Sequence, residues 1–330
     1  MSPDNSRKRI VILWSLPYCL LLSAFCFLPT IRAQSPEPSD TIRINTDLVN
    51  VNVSVFNRNA VPLKVALEQD DFAVYENGLP QEISFFASAE TPFDLVLLLD
   101  LSGSTADKIK LIRKSSKRFV EAARPNDRIA IVTFASDVHA VSLLTSDHEA
   151  LKKGIDQISK PSGGTNFWDA LRFVLEHIVN QSRVENRRSA VVVMTDGVDN
   201  ALPDVFGHGS TTTFAELIEI VRRSESIVLP IYLDTEKEAG QHGTPKSAYV
   251  LARQELAEIA SESGNVVYSA RKVNDLNRAY AQVMRDLSTV YSIGYRPANR
   301  ARDGSWRAVA VQLVGRPELV AGVAIMRSEQ

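Results

Sequence analysis

From residue 92 to 289 the chain alternates short, unbroken apolar runs with stretches whose apolar residues recur every three or four positions. A strand that is apolar on both faces must be covered on both faces, and a parallel sheet with helices on each side does this. The strand candidates are residues 94–99, 128–134, 190–195, 227–233 and 266–268, with 138–142 expected to pair with its predecessor as a hairpin. Between them, Ile109, Ile112, Phe119, Val120 and Ala123 fall on one helix face, and Ala170, Leu171, Val174, Leu175 and Ile178 on another. Further helices are expected at 214–223, 249–261 and 276–287.

On either side the period changes from helical to two. Val49, Val51, Val53 and Val55 alternate along a strand expected over 41–56, and an Asn77-Gly78 pair between apolar residues 72–75 and 83–85 suits a tight hairpin. After residue 290, Tyr291, Ile293 and Tyr295 alternate, then Val309, Val311 and Leu313, with a polar turn at 299–304 between. A front segment this short buries too little surface to stand alone. The expected fold class is therefore α/β: a doubly wound, mostly parallel, Rossmann-like sheet (92–289). It is inserted between an N-terminal (41–91) and a C-terminal (290–330) β-segment that together form a small β-sandwich.

The first 33 residues have a different character. Arg7-Lys8-Arg9 precede a mostly apolar run over 10–28, and Ile31-Arg32-Ala33 ends on a small residue, the pattern of an export signal (1–33) followed by a Ser/Pro-rich linker (34–40). Left uncleaved, residues 10–28 are long enough to act as a membrane anchor. Both cysteines, Cys19 and Cys26, lie in this stretch, so an exported chain has no disulfide, no Cys-bound metal and no Cys nucleophile. The remainder carries about five net negative charges, which argues against a nucleic-acid partner. The expected location is periplasmic or extracellular.

The residues that carry chemistry stand at strand ends. Asp100-Leu101-Ser102-Gly103-Ser104 follows the first apolar run, placing a carboxylate and two hydroxyls where a turning segment can aim them at one point. That edge is where doubly wound sheets bind ligands. Gly163-Gly164-Thr165 opens a later helix with a third hydroxyl, and Thr195-Asp196-Gly197 ends another strand with a second carboxylate. Such an all-oxygen set suits a hard divalent cation, Mg²⁺ first, with Mn²⁺ or Ca²⁺ as alternatives.

Taken together, this D-x-S-x-S, later Thr, later Asp resembles the metal-ion-dependent adhesion site of von Willebrand factor type A domains. The resemblance covers roughly residues 92–287, with every motif position occupied. It implies that Ser102, Ser104 and Thr165 bind the metal directly, that Asp100 and Asp196 ligate largely through water, and that one position stays open for an acidic residue of a partner protein. It also implies that the C-terminal helix near 276–287 shifts on binding, as in some relatives. Asp47-Leu48-Val49, the stretch from Asp71 to Gly78 and Ser292-Ile293-Gly294-Tyr295 are similar to exported von Willebrand A-like proteins of Acidobacteria.

Catalysis finds little support. The histidines His139, His148, His177, His208 and His242 form no H-E-x-x-H spacing, and Ser102 does not sit in G-x-S-x-G. No Walker P-loop or G-x-G-x-x-G is present, and an aspartyl phosphotransferase typically has a carboxylate where this chain has Ser102. The expectation is a non-enzymatic adhesion or assembly module. Its alternatives are a cell-envelope scaffold braced by the metal and, third, a metal-dependent hydrolase. The loop over 200–213 should border the open metal face, and Phe167 and Trp168 beside Thr165 either line that face or pack into the helix core.

Overall fold

The computed structural model describes residues 49–57, 66–159, 162–179, 187–224, 226–236, 243–270, 273–301 and 307–323. The expected export signal, the linker, residues 41–48 and His242 lie outside the described residues. Residues 47–330 belong to one compact unit. Among the described residues no helix is long and apolar enough to cross a membrane.

Four strands come first, β1 (Val49–Asn57), β2 (Phe72–Glu76), β3 (Leu79–Gln81) and β4 (Ile83–Ala87). The central strands are β5 (Phe93–Asp100), β6 (Arg128–Phe134), β7 (Val138–Thr145), β8 (Arg188–Thr195), β9 (Ile227–Leu233) and β10 (Tyr268–Ala270). They form one sheet in the order β10-β9-β8-β5-β6-β7, parallel except for β7, which pairs antiparallel with β6. Every residue of β5 is buried because it lies in mid-sheet under helices on both faces.

The strand period of two sorts these residues between two cores. Leu95, Leu97 and Leu99 pack with Ile112 and Phe119 of α1 (Ile109–Ala122) and with Leu276, Tyr280 and Val283 of α6 (Val273–Leu287). Val96 and Leu98 point the other way, into a core shared with Leu171 of α3 (Phe167–Phe173) and Leu256 of α5 (Lys246–Glu262). The expected helix over 170–178 is α3 continued by a π-helical turn, Val174–Val179. Two helices show their start signals locally: α2 (His148–Gln157) is capped by Asp147, and α4 (Phe214–Arg223) by a reciprocal Thr213–Glu216 box.

The remaining strands, β11 (Val290–Tyr295), β12 (Val309–Leu313) and β13 (Leu319–Val323), complete two sheets, β13-β1-β11-β4 and β12-β2-β3. Val51, Val53, Tyr291 and Ile293 of the first sheet share a core with Phe72, Val74, Val309 and Val311 of the second. The front segment thus borrows its neighbours from the back. Across this core Tyr295 Oη donates to Glu76 Oε2 at 2.7 Å and Arg307 Nη1 to Glu76 Oε1 at 3.0 Å.

Two sequence expectations need correction, and two elements were not expected. Asn77 and Gly78, at φ 49° and 81°, do make the tight turn, but it joins β2 to β3, whereas residues 83–87 cross to the other sheet as β4. The last central strand begins at Tyr268 rather than 266, since Val266 is exposed. Neither α2 nor β13 is anticipated.

The inserted domain is entered through residues 88–92 and left through 288–289, and one side chain holds both connectors. Arg188, buried at the start of β8, donates to the carbonyls of Ala89, Thr91 and Val290, with its guanidinium 4.0 Å from the Phe93 ring centre. Burial pushes it down to about 9, and the Arg124 charge adds to the shift.

Candidate metal centre

Strands β5 and β8 run side by side and end at Asp100 and Thr195, on the C-terminal edge of the parallel sheet. Asp100 is fully buried. Its Oδ1 accepts from the Ser102 amide at 2.8 Å and its Oδ2 from Thr195 Oγ1 at 2.6 Å. Beyond it the chain enters a 3₁₀ turn, Gly103–Lys108, that sets Ser102 Oγ 3.1 Å from Ser104 Oγ. Ser104 Oγ donates to Asp196 Oδ2 at 2.7 Å, an oxygen that also accepts from Thr235 Oγ1 at 2.7 Å. Asp196 Oδ1 takes the Val198 amide at 3.2 Å.

Asp100, Ser102, Ser104 and Asp196 are therefore strung together by hydrogen bonds. Thr165 reaches the same place from another loop: with Ser104 and Asp196 it lines an open cleft of ≈ 470 Å³, beneath which Asp100 and Ser102 lie buried. Asn166, not Thr165, is the N-cap residue of α3. Asn200 holds the Thr165 backbone at both polar atoms, accepting its amide on Oδ1 and donating its own amide to the carbonyl, each at 2.9 Å.

Two carboxylates buried this close disfavour each other's charge. Burial first, and then the Asp196 charge, push the Asp100 carboxyl up to about 7 against the pull of its Ser102 and Thr195 hydrogen bonds. Burial also raises Asp196, opposed by Ser104, Thr235 and the Lys108 charge. A cation beside the pair would restore both to the ionised form. The donors present are carboxylate and hydroxyl oxygens, and among the described residues no group of three or more His, Cys, Asp or Glu side chains assembles. The residues fit a hard divalent ion and not a soft, thiolate- or imidazole-selected one.

Several residues that shape this site escape the motif. Thr195 and Thr235 each donate to one of the two carboxylates; Thr195 ends the apolar run of β8 and Thr235 follows that of β9 by two residues, which is the available signal. Asp199 organises the neighbouring loop, accepting the Trp168 amide at 3.1 Å, the Ala201 amide at 2.8 Å, and the Ser210 amide and hydroxyl at 3.0 and 2.6 Å. Asp169 accepts the Thr211 and Thr212 amides, both at 2.8 Å. Phe167 and Trp168 are buried in the helix core. Of the described histidines, His208 is among the residues lining the cleft.

The chain is 26% identical over 197 residues to an uncharacterised protein of Borreliella burgdorferi, a match covering 55% of this chain and 54% of that one. It thus spans about half the length of that curated relative. Among solved structures it is similar to a von Willebrand factor type A protein from Catenulispora acidiphila (TM-score 0.48, 12% identity, 78% of this chain and 73% of that one). It is also similar to proximal thread matrix protein 1 from the mussel byssus, in a form with a zinc-occupied metal-ion-dependent adhesion motif (TM-score 0.46, 18% identity, 61% and 49%). The sequence model of the von Willebrand factor type A domain matches residues 94–282, more than half of the chain, and the protein belongs to that family.

Proposed function

We propose that this protein is an exported adhesion or assembly module that binds a partner protein through a divalent cation held by Asp100, Ser102, Ser104, Thr165 and Asp196. The observation that carries this reading is the hydrogen-bonded series of oxygen-bearing side chains Asp100, Ser102, Ser104 and Asp196, joined through the Ser102 amide and the two serine hydroxyls and opening on a cleft at the sheet's ligand edge. When bound, the cation supplies a positive centre that hydroxyl donors leave poorly neutralised. The chain's own residues do the positioning: one turn presents both serines, Thr195 and Thr235 orient the carboxylates, and Asn200 fixes Thr165 at the cleft wall. The partner then supplies an Asp or Glu carboxylate, and no turnover is part of the function. Export rests on the basic and apolar pattern of residues 1–33 and on the cysteine-free remainder.

The test is calorimetric titration of Mg²⁺ and Mn²⁺ into chelator-stripped protein, with Asp100→Ala as control. Saturable binding is expected in the natural sequence only, and metal at a hundredfold excess over Kd should add about 2.7 kcal/mol of stability. Metal binding that survives Asp100→Ala overturns the assignment. Ser102→Ala should abolish partner binding while the metal-free protein melts unchanged; a loss of thermal stability instead supports the scaffold role. Ester or phosphate turnover that stops in EDTA supports a hydrolase.

A further inference from the structure

The loop that walls the cleft does something unusual with an aromatic residue. Phe206 is 87% exposed, yet it lines the same cleft as Ser104, Thr165 and Asp196. A lone exposed apolar side chain on a loose loop would need no explanation. This loop is not loose. Asn200 Nδ2 donates to the Phe206 carbonyl at 2.6 Å while Asn200 Oδ1 holds the Thr165 amide, so one side chain ties the aromatic residue to a candidate metal ligand. Asp199 and Asp169 pin the loop further along, and Gly209 passes so close that a Cβ there would lie 1.9 Å from the Ala201 nitrogen. Val198, Val205 and Tyr249 line the cleft beside Phe206.

We infer that Phe206 is a specificity-determining anchor, and that the partner's acidic residue is flanked by a bulky apolar side chain that packs on it. The inference rests on the function proposed above and names the partner's chemistry more narrowly. Phenylalanine offers area and no hydrogen bond, so it rewards an apolar neighbour and nothing else. Its pinned backbone removes part of the ordering cost that a loose loop would impose on binding. Packing there also excludes water from the rim of the site, which strengthens the attraction between the cation and the incoming carboxylate.

The experiment is selection of a displayed peptide library, randomised around a central Asp or Glu, on the Mg²⁺-loaded protein with elution by EDTA. Selected peptides are then titrated by fluorescence polarisation against the natural sequence, Phe206→Ala and Phe206→Trp. We expect Phe, Tyr, Trp, Leu or Met enriched beside the acid. Phe206→Ala should bind those peptides about tenfold more weakly, as for a buried anchor, yet change Mg²⁺ affinity and melting temperature little. Peptides whose apolar neighbour is changed to Ala should lose this sensitivity, and Phe206→Trp should restore binding. Acid-dependent, EDTA-eluted peptides without an apolar bias overturn the role of Phe206 and leave the metal-dependent function standing. No EDTA-eluted peptides at all, from protein that binds Mg²⁺, overturns both.

Discussion

At the scale of single residues, the candidate site sinks two carboxylates, Asp100 and Asp196, into a dry environment where burial opposes their charge. Glu255 shows the same physics away from the cleft. It lies buried on α5 near Trp168, and its carboxyl is pushed up to about 7 by burial, with the Asp199 and Glu258 charges adding to the shift against the Trp168 indole. A carboxyl raised above its unfolded value contributes stability that is fully present below about 4.5 and is lost as pH rises towards 7. Glu255→Gln, neutral at every pH, should therefore flatten the stability profile across that window and raise the melting temperature at pH 8. A parallel profile offset by a constant amount would contradict this. Asp100, Ser102, Ser104, Thr165 and Asp196 could be named as candidates from sequence because they cluster where an apolar run ends or a helix opens. The partners of Thr195 and Asn200 could not be read, since a lone polar side chain next to a motif says nothing about which carboxylate or amide it will meet.

At the scale of elements, legibility followed how many residues shared a signal. Strands β6 and β9 and helix α4 could be bounded to the residue because long apolar runs or strong periodicity enclosed them. Helix α2 buries only Leu151 and Ile155, too few to announce a face, and β13 has no clear alternation to distinguish it. The β2–β4 region failed for another reason: the turn residues Asn77 and Gly78 fix a hairpin but not where its second strand stops and the chain changes sheets. The loop after β8 depends on a backbone approach that no periodicity encodes. Gly209→Ala must move Ala201 and, with it, Asn200. We expect a loss of about 1–3 kcal/mol from overpacking, together with weaker Mg²⁺ binding through Thr165, measured by chemical denaturation and calorimetry. Unchanged metal affinity would show that the loop and the ligand move independently.

At the scale of the whole molecule, the insertion of an α/β domain into a sandwich was readable from the change of period at either end of 92–289, whereas the clamp that holds the two parts was not. A buried arginine bonded to carbonyls leaves no trace in patterning. Arg188→Met should leave the carbonyls of Ala89, Thr91 and Val290 short of partners, costing about 3 kcal/mol and lowering Tm by about 6–12 °C. Scanning calorimetry should then resolve two transitions, sandwich and α/β domain; a single transition at the original temperature would show that Arg188 does not join them. The clamp and the cleft also lie at opposite ends of the same strands, separated by the length of β5, roughly 25 Å. A tug on whatever occupies the cleft therefore runs lengthwise down the sheet, where the ladder bonds of β5 with β6 and β8 share the load in shear. Both connectors leave side by side under one guanidinium, so a pull on the domain would load them as a pair and set it taut, in series with the sandwich.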